Sequence, residues 1–278
     1  DQLSLDIPEG TIYGILGPNG SGKTTTLGMV MDVIHPTSGD FKWFGAKPNR
    51  DARKHIGAIL EGPLFYPYLT GYNNLRVVAE IKGVGKEKIE PVLDTVGLLA
   101  RKDSRFKTYS LGMKQRLAIA AALLGDPKVL ILDEPTNGLD PQGIKEIREL
   151  IREIGQRGIT ILLASHLLDE VEKVCTHVAV LRTGKLLYSG VVQGMNRSDE
   201  IVEIAGPDLA KMKGMLSEMN GLASVNMDEG RLLLVFEGSP DLGAVNRFFF
   251  ERGTVLEHLY LRKSSLEEQF LDLIREAQ

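Results

Sequence analysis

Gly17-Pro18-Asn19-Gly20-Ser21-Gly22-Lys23-Thr24 is the stretch that decides the fold. It matches G-x-x-x-x-G-K-[ST]. Residues 12–16 before it form an apolar, strand-like run, and residues 23–34 after it keep helical spacing. Strand, glycine-rich turn and helix N-terminus together make an anion cradle. The glycines let successive backbone N–H groups curl round a phosphate, and the helix end adds positive potential. In such a loop Lys23 reaches the β- and γ-phosphates, and the Thr24 hydroxyl suits Mg²⁺.

Outward from this loop, short apolar runs alternate with helical patterns. Residues 56–60, 129–132, 160–164 and 178–181 read as strands, and residues 141–156 and 167–174 as helices. That alternation predicts an α/β core with a largely parallel sheet covered by helices. Residues 72–125 break it with at least three helical stretches and read as a helical insertion. Near residues 189–199, Gly190, Gly194, Asn196 and Ser198 dilute the apolar pattern. Residues 1–198 are therefore expected to form one domain and residues 199–278 a second. The second reads as strand 201–205, helix from Leu209, strands 222–227 and 231–237 about Asp228-Glu229-Gly230, helix 241–252 and strand 254–261. That order is the split βαβ arrangement. A last helix is expected from the Ser265/Glu268 capping box, with Leu266, Phe270, Leu273 and Ile274 on its apolar face.

Composition narrows the function. The 278 residues carry 37 acidic and 33 basic side chains, a net charge of −4. A dedicated nucleic-acid binder usually shows a basic surface, so none is expected as a partner. The charge is uneven: residues 1–199 sum to +2 and residues 200–278 to −6. No apolar run approaches the roughly 18 residues of a membrane-spanning helix. One cysteine, Cys175, excludes an internal disulfide and a cysteine zinc site, and fits a reducing compartment. The reading is a water-soluble chain of two domains.

The second chemical signal is Val129-Leu130-Ile131-Leu132-Asp133-Glu134, an apolar strand ending in two acids. Ligands of open α/β sheets bind at the C-terminal ends of strands. Asp133 is placed to hold Mg²⁺, and Glu134, one residue on, to polarise the water that attacks a γ-phosphate. With both motifs in place, the chain resembles the ATP-binding subunit of an ABC transporter over residues 1–198, with a P-loop NTPase core. Thr25 joins the nucleotide-binding residues by this resemblance.

The same family resemblance extends to three further stretches. Tyr109-Ser110-Leu111-Gly112-Met113-Lys114-Gln115-Arg116 is similar to the ABC signature in its divergent exporter form, with Leu111 and Met113 replacing a glycine and a glutamine. In the family, Ser110, Leu111, Gly112 and Met113 would face the ATP of a second ATP-binding subunit. Glu134-Pro135-Thr136-Asn137-Gly138-Leu139-Asp140 continues into what resembles the D-loop, placing Asp140 at the dimer interface. Ala164-Ser165-His166 holds the switch-histidine position, so His166 would contact the γ-phosphate and keep Glu134 in line. His35, His55, His177 and His258 read as structural.

Two departures stand out. The aromatic residue that stacks on adenine usually lies about 25–30 residues before the P-loop lysine; counting back from Lys23 passes Asp1, and Tyr13 lies too near the loop to serve. Glu61 stands where most cassettes place the Q-loop glutamine, and a carboxylate there is a second candidate ligand for Mg²⁺. The following Gly62-Pro63-Leu64-Phe65-Tyr66-Pro67-Tyr68-Leu69-Thr70 resembles bacitracin- and lantibiotic-type cassettes. The resemblance implies ATP and Mg²⁺ as cofactors, integral membrane permease subunits as partners and a peripheral place on the cytoplasmic face of the membrane. The cargo would be an antibiotic, peptide or related toxic compound. The competing reading is a soluble ABC ATPase with no membrane partner. If Glu61 serves coupling and not base catalysis, Glu61→Gln keeps hydrolysis within about tenfold, against about 10²–10⁴-fold for loss of a general base. Steady-state ATPase rates of Glu61→Gln and Glu134→Gln check this; equal losses would contradict the roles given to the two carboxylates.

Overall fold

The computed structural model describes residues 2–60, 62, 64–192, 200–228 and 230–263. The chain divides into two compact units, Asp1–Gln193 and Gly194–Gln278. Residues 193–199, where the composition seam was expected to end, lie outside the described residues, as do Glu61 and the expected last helix with its Ser265/Glu268 capping box.

In the first unit the chain runs β1 (Ile12–Leu16), α1 (Lys23–Val30), α2 (Arg50–Lys54), β2 (Ile56–Ile59), α3 (Gly71–Lys82), α4 (Ile89–Thr95), α5 (Leu111–Leu123), β3 (Val129–Asp133), α6 (Pro141–Gln156), β4 (Thr160–Ser165), α7 (Leu168–Val174), β5 (His177–Arg182) and β6 (Lys185–Val191). One six-stranded sheet has the order β2-β3-β4-β1-β5-β6. Strands β1, β3 and β4 are buried at every position, as continuous apolar runs in a sheet covered on both faces should be. Tyr13, Ile15, Leu27, Ile131, Leu162 and Ala179 form the core of this unit. Helix α6 buries Ile147, Leu150, Ile151 and Ile154, a single stripe at helical spacing.

Register matters more to function than strand count. The parallel pairs Leu16↔Ser165 and Asp133↔Ala164 bring the C-terminal ends of β1, β4 and β3 level. The loop after β1, the Asp133-Glu134 pair and His166 consequently share one edge of the sheet.

Four elements differ from the sequence-based expectation, and one of them is the short helix α2, which was not expected. Helix α1 stops at Val30 instead of running to Ile34, because Asp32 takes a left-handed conformation (φ 61°) and Ile34 folds back onto Gly28. Strand β6 was not expected. It pairs antiparallel with β5 through Thr183-Gly184, whose φ values of 46° and 80° are those of a type I′ hairpin turn. Its half-exposed alternation reads as loop when a buried strand is the template. The last strand of the described residues starts at His258, four residues later than expected. Among the described residues no helix is long and apolar enough to cross a membrane.

The second unit is β7 (Glu200–Ala205), α8 (Leu209–Met215), β8 (Leu222–Asp228), β9 (Arg231–Phe236), α9 (Leu242–Glu251) and β10 (His258–Lys263), with sheet order β10-β7-β9-β8 and every pair antiparallel. This is the split βαβ topology; Glu229 of the β8–β9 turn lies outside the described residues. Val202, Ile204, Leu232 and Leu234 pack with Met212, Val245 and Phe249. Strand alternation puts Glu203 on the other face, where it accepts hydrogen bonds from Arg231 (2.9 Å) and Arg262 (3.2 Å), with His258 Nε2 3.5 Å away.

Burial pushes the Glu203 carboxyl up, but the two guanidinium hydrogen bonds outweigh it and hold the group below its ordinary range. A depressed carboxylate stabilises the fold above its unfolded pKa, and that contribution is lost as pH falls through the folded value. The unfolding midpoint of the parent should therefore drop more steeply than that of Glu203→Gln as the pH falls below about 4.3, the ordinary glutamate value. Calorimetric scans at a series of acid pH values check this; parallel acid slopes would contradict it.

Candidate functional site

The loop between β1 and α1 is shaped by backbone demands that few residues meet. A Cβ at Gly17 would overlap the Leu181 carbonyl oxygen and the Ser21 side chain. Gly22 has φ 99°, which an L side chain rarely adopts, and it offers no side-chain cap. The first-turn amides of α1 are thus left without intrahelical acceptors. Pro18, Asn19 and Gly20 form the exposed rim, and Thr24 and Thr25 are exposed at the start of α1.

Inside the cradle, Lys23 is only 6% exposed. Its ammonium donates to the carbonyl oxygens of Gly17 (2.9 Å) and Pro18 (3.3 Å). It also lies 3.5 Å from Glu134 Oε1. The other Glu134 oxygen is 2.8 Å from His166 Nδ1, which donates to the carboxylate. Thr24 Oγ1 donates to Asp133 Oδ2 at 2.8 Å. Five residues from three segments meet here.

The Glu134 backbone is held in an unusual state. Its φ is 47°, left-handed for a non-glycine residue, a conformation that costs about 1–3 kcal/mol and persists where its surroundings enforce it. Glu134 N donates to Ala164 O (3.0 Å), and Glu134 O accepts from Asn137 N (3.1 Å). These bonds hold the carboxylate between lysine and histidine.

Among the described residues, the buried Ser21 Oγ has no hydrogen-bond partner. A buried hydroxyl and several first-turn amides on one concave loop suit an anion with many oxygens, such as a phosphate chain. Thr24 and the buried Asp133 suit Mg²⁺, which commonly takes one or two protein oxygens and completes its shell with phosphates and water. Among the described residues no cluster of three or more His, Cys, Asp or Glu offers a rival metal cage.

The signature residues lie elsewhere on this unit, at the start of α5. Ser110 caps that helix, its Oγ accepting from Met113 N at 3.2 Å. A Cβ on Gly138 would stand 3.2 Å from Leu111, and one on Gly112 would stand 3.9 Å from Leu139, so signature and D-loop adjoin. Asp140 caps α6, accepting from Gly143 N (2.9 Å), with Pro141 at the helix start. Sequence reading gave Asp140 an interface role and overlooked this cap, although Asp-Pro before a helical stripe is its usual signal. Tyr13 belongs to the core: it is 1% exposed, bonds Ser189 Oγ and stacks on His177. Glu61, the second candidate Mg²⁺ ligand, lies outside the described residues.

Comparison with known proteins finds relatives over nearly the whole chain. The family model described as ABC transporter matches residues 1–137. The chain is 39% identical over 280 residues to the bacitracin transport ATP-binding protein BcrA of Bacillus licheniformis, covering 99% of this chain and 92% of that one. It is 40% identical over 201 residues to the lantibiotic transport ATP-binding protein SrtF of Streptococcus pyogenes, covering 72% and 88%. In structure it is similar to the ATP-binding cassette MJ0796, solved as a dimer in a post-hydrolysis state with ADP and Pi (TM-score 0.60, 25% identity, 68% of this chain and 88% of that one).

Because the Gly17 position has no room for a methyl group, Gly17→Ala should weaken ATP binding at least about tenfold, the equivalent of 1.4 kcal/mol of strain. Titration with a fluorescent ATP analogue measures it, and unchanged affinity would show that the loop does not hold the nucleotide as described.

Proposed function

Because the chain belongs to the ABC transporter family of ATP-binding proteins, we propose that it powers export of an antibiotic, a peptide or a related toxic compound. It is an ATP-binding and ATP-hydrolysing exporter subunit, and membrane permease subunits are its partners. The cargo class rests on relatives named for bacitracin and lantibiotic transport. Those names leave the soluble-ATPase alternative unsupported.

The observation that carries the catalytic reading is Glu134 suspended between Lys23 (3.5 Å) and His166 (2.8 Å) at the mouth of the loop. Lys23 supplies a cation for the β- and γ-phosphates. Glu134 accepts the proton of the attacking water, and His166 fixes the carboxylate's direction. Thr24 and Asp133 would hold Mg²⁺, which when bound offsets charge on the phosphates; Glu61 is assigned as its third ligand. Positioning and charge compensation of this kind supply most of the rate in phosphoryl transfer.

Completion of the site is assigned to a second ATP-binding subunit, identical or related, whose Ser110, Leu111, Gly112 and Met113 cap the γ-phosphate, with Asp140 at the interface. A serine-capped helix N-terminus suits that anion. The permease is assigned to residues 64–75, on the cytoplasmic face of the membrane. Support comes from Leu64, which is 96% exposed, and from the exposed Tyr66 and Tyr68. The buried Asn74 steadies that surface by bonding both the N–H and the C=O of Tyr66. Residues 1–198 form the ATP-binding domain in this reading, and residues 199–278 an accessory domain.

Glu134→Gln should keep ATP affinity and lose turnover by about 10²–10⁴-fold, as expected for removal of a general base. With Mg-ATP the variant should elute as a dimer in size-exclusion chromatography, since hydrolysis no longer reopens the pair. A monomer that hydrolyses at the parent rate would contradict the assignment.

A further inference from the structure

Two turns leave the catalytic edge and run back along the sheet. Glu134-Pro135-Thr136 leads toward α6, and Ser165-His166-Leu167 leads into α7. Behind the Glu134–His166 contact they meet across a cavity of about 10 Å³ whose walls include Pro135, Thr136, Ser165, Arg148 and Glu170. Arg148 on α6 and Glu170 on α7 face each other there, Nη1 to Oε1 3.5 Å, with side chains 17% and 8% exposed.

Glu170 is the third residue of α7, where a glutamate often turns back to cap its own helix. Here the Ser165 hydroxyl accepts from Leu167 N (3.0 Å), and Glu170 points inward to Arg148 instead. A buried ion pair is a weak source of stability, since well-packed apolar side chains in its place are often neutral or better. What a charge pair adds is direction. It ties one point on α6 to one point on α7, and these helices continue the two turns that carry Glu134 and His166. The left-handed Glu134 backbone needs such enforcement from its surroundings.

We propose that Arg148 and Glu170 are positioning residues: a buried strut that sets the Glu134–His166 geometry and so the rate of hydrolysis. The inference rests on the reading of that pair as the hydrolytic centre. The strut touches no nucleotide, so its loss should lower kcat and leave ATP binding in place.

The test uses the full chain and three variants, read by kcat and KM for Mg-ATP, nucleotide affinity and unfolding midpoint. Glu170→Gln should lower kcat about tenfold, within the range that small misplacements of reacting groups produce. Its KM and nucleotide affinity should stay near parent values. Arg148→Lys keeps the charge and should retain most of the turnover. The double variant Arg148→Met/Glu170→Leu replaces the pair with apolar bulk, so it should fold at least as stably as the parent and show the same fall in kcat. That variant also guards against Glu170→Gln simply failing to fold. A double variant with parent turnover would overturn the strut, as would losses in kcat matched by equal losses in nucleotide affinity, or failure of both to fold. A parent chain with no ATPase activity would overturn the hydrolytic reading itself, and the strut with it.

Discussion

The Glu134 carboxylate, held between the Lys23 ammonium and the His166 imidazole, is the contact on which the other features of the site depend. Glu134 and His166 directly follow β3 and β4, and Lys23 opens α1 after the loop that leaves β1. They meet only because those strands are parallel neighbours in one register. A slip of one residue in either pairing would turn every buried side chain of a strand to the opposite face. The continuous apolar runs that fill the sheet therefore also align the chemistry at its edge.

The cradle is held closed by its own lysine. Lys23 bonds two neutral carbonyls of the loop and shares charge with Glu134. A phosphate oxygen adds the attraction of opposite charges to the hydrogen bond, so a phosphate chain is a better partner for this ammonium than the neutral Gly17 and Pro18 carbonyls. Nucleotide binding in this view exchanges acceptors around one buried cation. Thr24 and Asp133 already bond each other next to it, which keeps hydroxyl and carboxylate within reach of one metal ion.

Much of this was legible in the sequence, for identifiable reasons. Buried parallel strands are nearly all apolar, so β1, β3 and β4 stand out; the second unit follows from alternation, where Val202, Ile204, Leu232 and Leu234 are buried. The glycine-rich loop and the acids after β3 are local patterns whose partners are fixed by the family's strand order. Strand β6 was missed because an edge strand is half exposed. The end of α1 was missed because Asp32 breaks the helix without a glycine or proline to mark it. The Asp140 cap was overshadowed by its resemblance to an interface residue. Arg148 and Glu170 were not singled out, since two charges 22 positions apart on separate helices look like ordinary surface charges until tertiary packing buries them together.

If Lys23 is the cation that meets the nucleotide, it exchanges its loop carbonyls for phosphate while Glu134 stays with His166. A crystal structure of the full chain with Mg²⁺ and a non-hydrolysable ATP analogue tests it most directly. The expected structure has Lys23 Nζ on phosphate oxygens, no longer on Gly17 and Pro18, with the Glu134–His166 hydrogen bond intact. A bound nucleotide with Lys23 still on those two carbonyls, or with Glu134 parted from His166, would contradict it.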